Sequence, residues 1–219
     1  MRRIGFTEGE YYHIFNRGNN KQRIFSEERD WLRFLFLVMY LQSPVSFSNP
    51  GRQVTYFVKH QMFNTKSTDE SILKNRFVEL VSFALMPNHF HLMVRELKQG
   101  GISQYMQKVL NAYTKYFNAK NEMSGHVFQG PFKAVHIERN EQLLYLSAYI
   151  HHNPKGMPRW RKKPQDFPWS SYKDYVTNNR WGDFLTRDII LNQFASVQEY
   201  EEFVQRSEAK EVAVELLID

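Results

Sequence analysis

Cysteine is absent from the 219-residue chain, which removes disulfides, thiolate metal ligands and cysteine nucleophiles together. No apolar run reaches the roughly 18 residues that a membrane-spanning helix needs, and the longest candidate, Trp31 to Leu41, is interrupted by Arg33. The opening Met1-Arg2-Arg3-Ile4-Gly5-Phe6-Thr7-Glu8 lacks the apolar core of a signal peptide. A cytoplasmic protein without a membrane partner is therefore expected. Internal repeats and low-complexity tracts are missing as well.

What is present is a composition suited to a packed core. Hydrophobic residues make up 42% of the chain, with 18 Phe, 12 Tyr and 4 Trp, which excludes wholesale disorder. Lys+Arg number 29 against 23 Asp+Glu, a net charge of +6, so an anionic partner is favoured. The basic residues concentrate at Arg159 to Lys163 and in Lys115 to Lys133, interleaved with Tyr116, Phe117, Phe128, Phe132 and Trp160. Single-stranded nucleic acid uses that mixture for backbone tracking and base stacking, although a solvated face beside core aromatics has the same composition.

Tyr11 to Asn16 is aromatic and β-branched and ends at Arg17-Gly18-Asn19-Asn20, which predicts a strand. Ser26, followed by Glu27 and Glu28, predicts a helix cap with the helix running to about Leu41. Residues 43 to 75 read as an elaborated connection, within which Val54 to Phe63 fits either a strand or a short helix. Val78 to Leu85 and His89 to Leu97 flank Met86-Pro87-Asn88 and predict adjacent antiparallel strands. Ile102 to Lys120 has a helical period, and Ala134 to Glu138 reads as a strand. Asn140 is expected to cap a helix ending at Asn153-Pro154. Gly156 to Pro168 reads as loop, Ser170-Ser171 as a further cap, and Val197 to Ser207 as a last helix. Strands and helices mixed without a βαβ repeat predict an α+β fold around an antiparallel sheet. One domain over 1–219 is expected, with a helical extension from about 170.

Two constellations suggest chemistry. His89-Phe90-His91 on a strand puts two imidazoles on one face about 6–7 Å apart, where they can share a metal ion or simply lie half-exposed. On the helix after Asn140, Tyr145, Tyr149, His152 and Asn153 form a polar stripe, while Leu143, Leu146 and Ile150 suit the core. A histidine pair, a helix tyrosine and an amide one turn later make up a metal-assisted phosphoryl-transfer site. The ion orients and polarises a phosphate, and the tyrosine attacks in line.

Met86-Pro87-Asn88-His89-Phe90-His91-Leu92 resembles the MPNHxHL form of the histidine–hydrophobe–histidine (HUH) motif. Ala148-Tyr149-Ile150-His151-His152-Asn153-Pro154 is similar to the tyrosine helix of single-tyrosine HUH transposases, and most specifically of REP-associated tyrosine transposases. Further matching stretches are Tyr12 to Gly18, Phe128-Gln129, Phe132-Lys133-Ala134, Pro168 to Tyr172 and Tyr200 to Val204. Pro131 stands where the family usually has arginine, and residues 43 to 75 are longer than the usual connection.

The resemblance implies an antiparallel sheet flanked by helices in a ferredoxin-like arrangement. It implies that His89, His91 and Asn153 bind Mg²⁺ or Mn²⁺, with His152 as a second possible third ligand. Tyr149 would be the nucleophile, forming a 5′-phosphotyrosine bond and releasing a 3′-hydroxyl. The substrate would be single-stranded, hairpin-forming DNA of the bacterial nucleoid, with a short guide sequence beside the hairpin. Arg17, Lys115 and Lys133 are candidate phosphate contacts. The resemblance admits a monomer or a homodimer. A hairpin-DNA binder without turnover and a hydrolase that activates water are the competing readings.

Overall fold

The computed structural model describes residues 5–45, 47 and 49–207. Four strands, β1 (Tyr11–Arg17), β2 (Val78–Met86), β3 (His89–Glu96) and β4 (Lys133–Ile137), form one antiparallel sheet in the order β2-β3-β1-β4. With helices on both faces, the fold is α+β. The tight turn at Pro87-Asn88 pairs Met86 with His89, and that register sets Ala84 opposite His91. On the other side of β3, Phe15 lies opposite His91 and Arg17 opposite His89.

Alternation along β3 divides its side chains between two layers. Phe90, Leu92 and Val94 are buried on one face, beneath α1 (Glu28–Tyr40) and α4 (Gly101–Lys120). The Phe34 ring packs 5.0 Å from Phe90, and Tyr113 meets Phe34 edge-on. The Tyr105 hydroxyl donates to the carbonyl oxygen of Val38 at 2.7 Å. Each fully buried aromatic or aliphatic side chain here contributes about 1.5–3 kcal/mol. His89 and His91 occupy the opposite face, toward α5 (Asn140–His152), where the Tyr149 ring lies 5.3 Å from that of His91.

Several boundaries differ from the sequence expectation for local reasons. Glu27, not Ser26, caps α1, and Asp30 folds back to accept from the amides of Ser26 and Glu27. Arg139 precedes α5 where Asn140 was expected as cap, because Gln142 accepts from the amides of both Glu138 and Arg139. Residues 43 to 75 contain two helices, α2 (Pro50–His60) and α3 (Lys66–Lys74). Asn49 caps α2 with left-handed backbone and a side chain that accepts from the Arg52 amide, and Pro50 fills the first turn. Val54 is buried, and Phe57 stacks near Phe63 and Trp181, so this segment adds to the core. The 156–168 stretch includes short 3₁₀ turns at Pro158–Trp160 and Pro164–Asp166.

The short helices α6 (Tyr172–Val176) and α7 (Asp188–Leu191) and the longer α8 (Val197–Arg206) complete the α5 side. The expected last helix is α8, and 208–219 lies outside the described residues. A buried polar knot fixes α5 among them. His151 is hydrogen bonded through Nδ1 to the Tyr200 hydroxyl at 2.7 Å and through Nε2 to Ser171 Oγ at 2.8 Å. Ser171 Oγ in turn accepts from the Phe83 amide of β2 at 2.9 Å, and the His151 ring stacks on Tyr172.

Candidate active site

The site lies where the β2–β3 turn meets the C-terminal end of α5. Asn88 donates from Nδ2 to the Lys21 carbonyl, which turns its Oδ1 to His89 Nδ1 at 2.7 Å. An amide oxygen only accepts, so His89 carries its hydrogen on Nδ1 and leaves Nε2 as a bare lone pair. Burial, with the Arg17 charge nearby, lowers the His89 pKa to about 4, so the ring is neutral at pH 7.

Asn153 answers from the other side. Its Nδ2 donates to the Tyr149 carbonyl at 2.9 Å, and its Oδ1 stands 3.4 Å from His89 Nε2. Two acceptors thus face one another with no hydrogen to share, an arrangement that accepts a cation. His91 completes the cluster, 94% buried and with its ring 5.1 Å from that of His89. Burial, with the neighbouring His13 and His89, holds its pKa well below the usual range, again the neutral, ligating form. Among the described residues no three His, Asp or Glu side chains gather as a metal site. The polar side chains that gather here are two imidazoles and an amide.

Tyr149 presents its ring edge-on to His91 and, at 6.1 Å, to His13. Burial raises its hydroxyl above the ordinary tyrosine value, with Asn153 acting in the opposite direction, so the phenol is held protonated. The predicted polar stripe divides. Tyr145 packs on Phe203 of α8, and His152 accepts from Lys155 Nζ at 2.7 Å in the wall of the same cavity as His89. Asn153 is the member of the stripe whose side chain stands against His89.

The family model described as "Transposase IS200 like" matches residues 50–153, a stretch that holds His89, His91, Tyr149 and Asn153. Over this stretch the chain is similar to that family. No curated protein matches it. Among solved structures, the one described as "Structure of the REP associates tyrosine transposase bound to a REP hairpin" has a TM-score of 0.53. It covers 86% of this chain and 92% of that chain at 14% identity, a likeness of fold. The IS200-like match begins after β1, so the residues that β1 adds lie outside it.

Those residues matter to the site. His13, on β1, is hydrogen bonded through Nε2 to His91 Nδ1 at 2.9 Å and is fully buried. Nothing in the sequence alone assigns His13 a role, because the register that sets Phe15 opposite His91 is tertiary information. Arg17 is exposed beside His89, and Lys133 extends over the Phe15 ring at 5.9 Å. Lys115 is exposed on α4, across the sheet from Tyr149, and the structure does not bring it to the cluster.

A cavity of about 1140 Å³ opens beside the cluster, with His89, Tyr149 and Asn153 in its wall. Lys21, Arg23, Lys155 and Arg161 also line it, and none of its described lining residues is acidic. Only Arg161 belonged to a basic concentration noted in the sequence. Lys21 and Arg23 arrive through the turn after β1, where Gly18 is required because a Cβ there would stand 2.3 Å from the Gln22 carbonyl oxygen. Among the described residues no helix of this chain is long and apolar enough to cross a membrane.

Proposed function

We propose that this protein cleaves and rejoins single-stranded DNA through a covalent phosphotyrosine, with hairpin-forming DNA as its substrate. The observation that carries the reading is the convergence of His89 Nε2, Asn153 Oδ1 and the Tyr149 ring on one face of the sheet, beside a cationic cavity. The hairpin follows from the similar transposase described with a REP hairpin. One chain supplies every member of the set, so the reading requires no partner subunit.

His89, His91 and Asn153 would hold a divalent ion, Mg²⁺ or Mn²⁺, which supplies charge stabilisation and orientation of the scissile phosphate. Neutral imidazoles and an amide oxygen fit that task, since none of them brings a charge that repels the phosphate. Tyr149 Oη attacks phosphorus as the P–O3′ bond breaks. The phenolic proton leaves to solvent and the departing 3′-oxygen gains one. The 5′-phosphate remains on Tyr149 and the DNA keeps a free 3′-hydroxyl. Attack by a 3′-hydroxyl on the phosphotyrosine reverses the step, so the bond energy is preserved for rejoining. Lys21, Arg23, Lys155 and Arg161 neutralise the backbone of the strand entering the cavity. Arg17 and Lys133 extend the cationic surface along the same face of the sheet.

Denaturing electrophoresis of native protein and Tyr149→Phe, incubated with labelled single-stranded hairpins and either Mg²⁺, Mn²⁺ or chelator, tests the reading. A metal-dependent covalent adduct with native protein alone is expected. Cleavage by both proteins without an adduct would replace tyrosine attack with water. Hairpin binding without cleavage would make the protein a silent binder.

A further inference from the structure

We propose that His13 is a positioning residue for His91, accepting the hydrogen on His91 Nδ1 and so committing Nε2 of that ring to the divalent ion. The inference rests on the metal reading above. It starts from a buried contact between two imidazoles, His13 Nε2 and His91 Nδ1, 2.9 Å apart.

Both rings are secluded, His13 fully and His91 94%, so no bulk water competes for either nitrogen. One hydrogen lies between them, and it belongs to one ring or the other. If it belongs to His13, a neutral His91 has its own hydrogen on Nε2 and presents an N–H to the cavity. If it belongs to His91, Nε2 is a bare lone pair. A cation at Nε2 permits only the second arrangement. His13 then carries its hydrogen on Nδ1, a buried atom with no hydrogen-bond partner. Among the described residues His13 has no other hydrogen bond, and the Phe15 ring packs against both imidazoles, 4.7 Å from that of His13 and 5.9 Å from that of His91. The two imidazoles lie within 19° of a common plane, which points His13 Nε2 at His91 Nδ1.

His89 is held in the same sense by a different residue, since Asn88 Oδ1 accepts from its Nδ1. Each histidine of the pair therefore has an Nδ1 partner of its own, one from the β2–β3 turn and one from β1. Partners of this kind set tautomer and ring orientation in metal sites, and their loss typically costs about 10–100-fold in metal affinity.

The experiment compares Mn²⁺ uptake by native protein, His13→Phe and His13→Gln without DNA, following the electron paramagnetic resonance signal of free Mn²⁺. His13→Phe keeps the ring and removes the acceptor, while His13→Gln sets an amide oxygen near the position of Nε2. The expected result is a loss of about 10–100-fold in affinity for His13→Phe, with most of the native affinity kept by His13→Gln. Hairpin-oligonucleotide binding in chelator should be equal in all three and reports on the fold. Native affinity in His13→Phe overturns the proposal. Equal loss in both variants with impaired hairpin binding also overturns it, because packing then accounts for the effect. A native protein that takes up no Mn²⁺ fails the metal reading itself, a result distinct from a missing difference between variants.

Discussion

Asn153 reaches in two directions from the end of α5, donating to the Tyr149 carbonyl with Nδ2 and facing His89 Nε2 with Oδ1. The backbone that bears the proposed nucleophile and the proposed metal ligand are thus joined through one side chain. Asn153→Leu keeps comparable bulk and removes both functions. Mn²⁺ affinity is expected to fall at least about tenfold, equivalent to about 1.4 kcal/mol, with hairpin binding in chelator unchanged. Calorimetric titration of Mn²⁺ measures this, and an unaltered affinity would remove Asn153 from the donor set.

The cationic cavity predicts a salt dependence. Replacing Arg23 and Arg161 together by alanine should lower the slope of log affinity against log salt by about 1.4, at about 0.7 per single-strand phosphate contact. Fluorescence anisotropy with a labelled hairpin between low and moderate salt gives the slopes. Lys115→Ala, across the sheet, supplies the comparison. An equal drop there would mean that the DNA reaches the α4 face.

The knot around His151 predicts a stability cost remote from the chemistry. His151→Phe takes one hydrogen bond from the Tyr200 hydroxyl, which keeps Ser147 Oγ, and one from Ser171 Oγ, which keeps Phe83, at about 0.5–1.5 kcal/mol for each bond lost. Melting should fall by about 2–4 °C per kcal/mol for a chain of this size. Tyr200→Phe, which retains the ring and drops the hydroxyl's bonds to His151 and Ser147, should also melt below native. Calorimetric melts of the three proteins decide this, and an unchanged melting temperature in His151→Phe would deny the knot its role.

Asp30 predicts an acid limit. Burial by itself raises its carboxyl, but hydrogen bonds from Lys120, the Ser26 amide, Tyr116 and the Glu27 amide outweigh burial and hold it below the ordinary value of 3.8. A carboxyl depressed on folding stabilises above its unfolded pKa and loses that contribution as pH falls through the folded value. Native protein should therefore lose stability below about pH 4, a dependence that Asp30→Asn lacks while being less stable at pH 7. Urea unfolding at pH 7, 5 and 3 compares the two, and parallel pH profiles would contradict the assignment.

The sheet and tyrosine helix were legible because their signals are local. β-prone runs on either side of Met86-Pro87-Asn88 marked β2 and β3, and a helical period marked α4 and the buried side of α5. The histidine–tyrosine–asparagine set was legible as a motif, whereas its geometry depends on strand register and on the angle at which α5 crosses the sheet. Residues 50–60 defeated periodicity, since Val54, Tyr56, Phe57 and Val58 suit strand or helix equally, and the deciding Asn49 cap adopts an unusual backbone. His13 was hidden because its meaning comes from His91, 78 residues away. Lys115 misled in the opposite way: charge density along the chain says nothing about which face of a sheet a residue occupies.

The tethering of α5 bears on how strands would be exchanged. Its side chains are bound to β2 through Ser171, to α6 through Tyr172 and to α8 through Tyr200, all from within the buried layer. A tyrosine on such a helix is a fixed post. On the proposed chemistry, a cut 5′ end would remain where it was made, and the free 3′ end would have to travel. Choice of joining partner would then belong to whatever guides that loose end across the cationic cavity, with the protein acting as anvil and the DNA as the moving part.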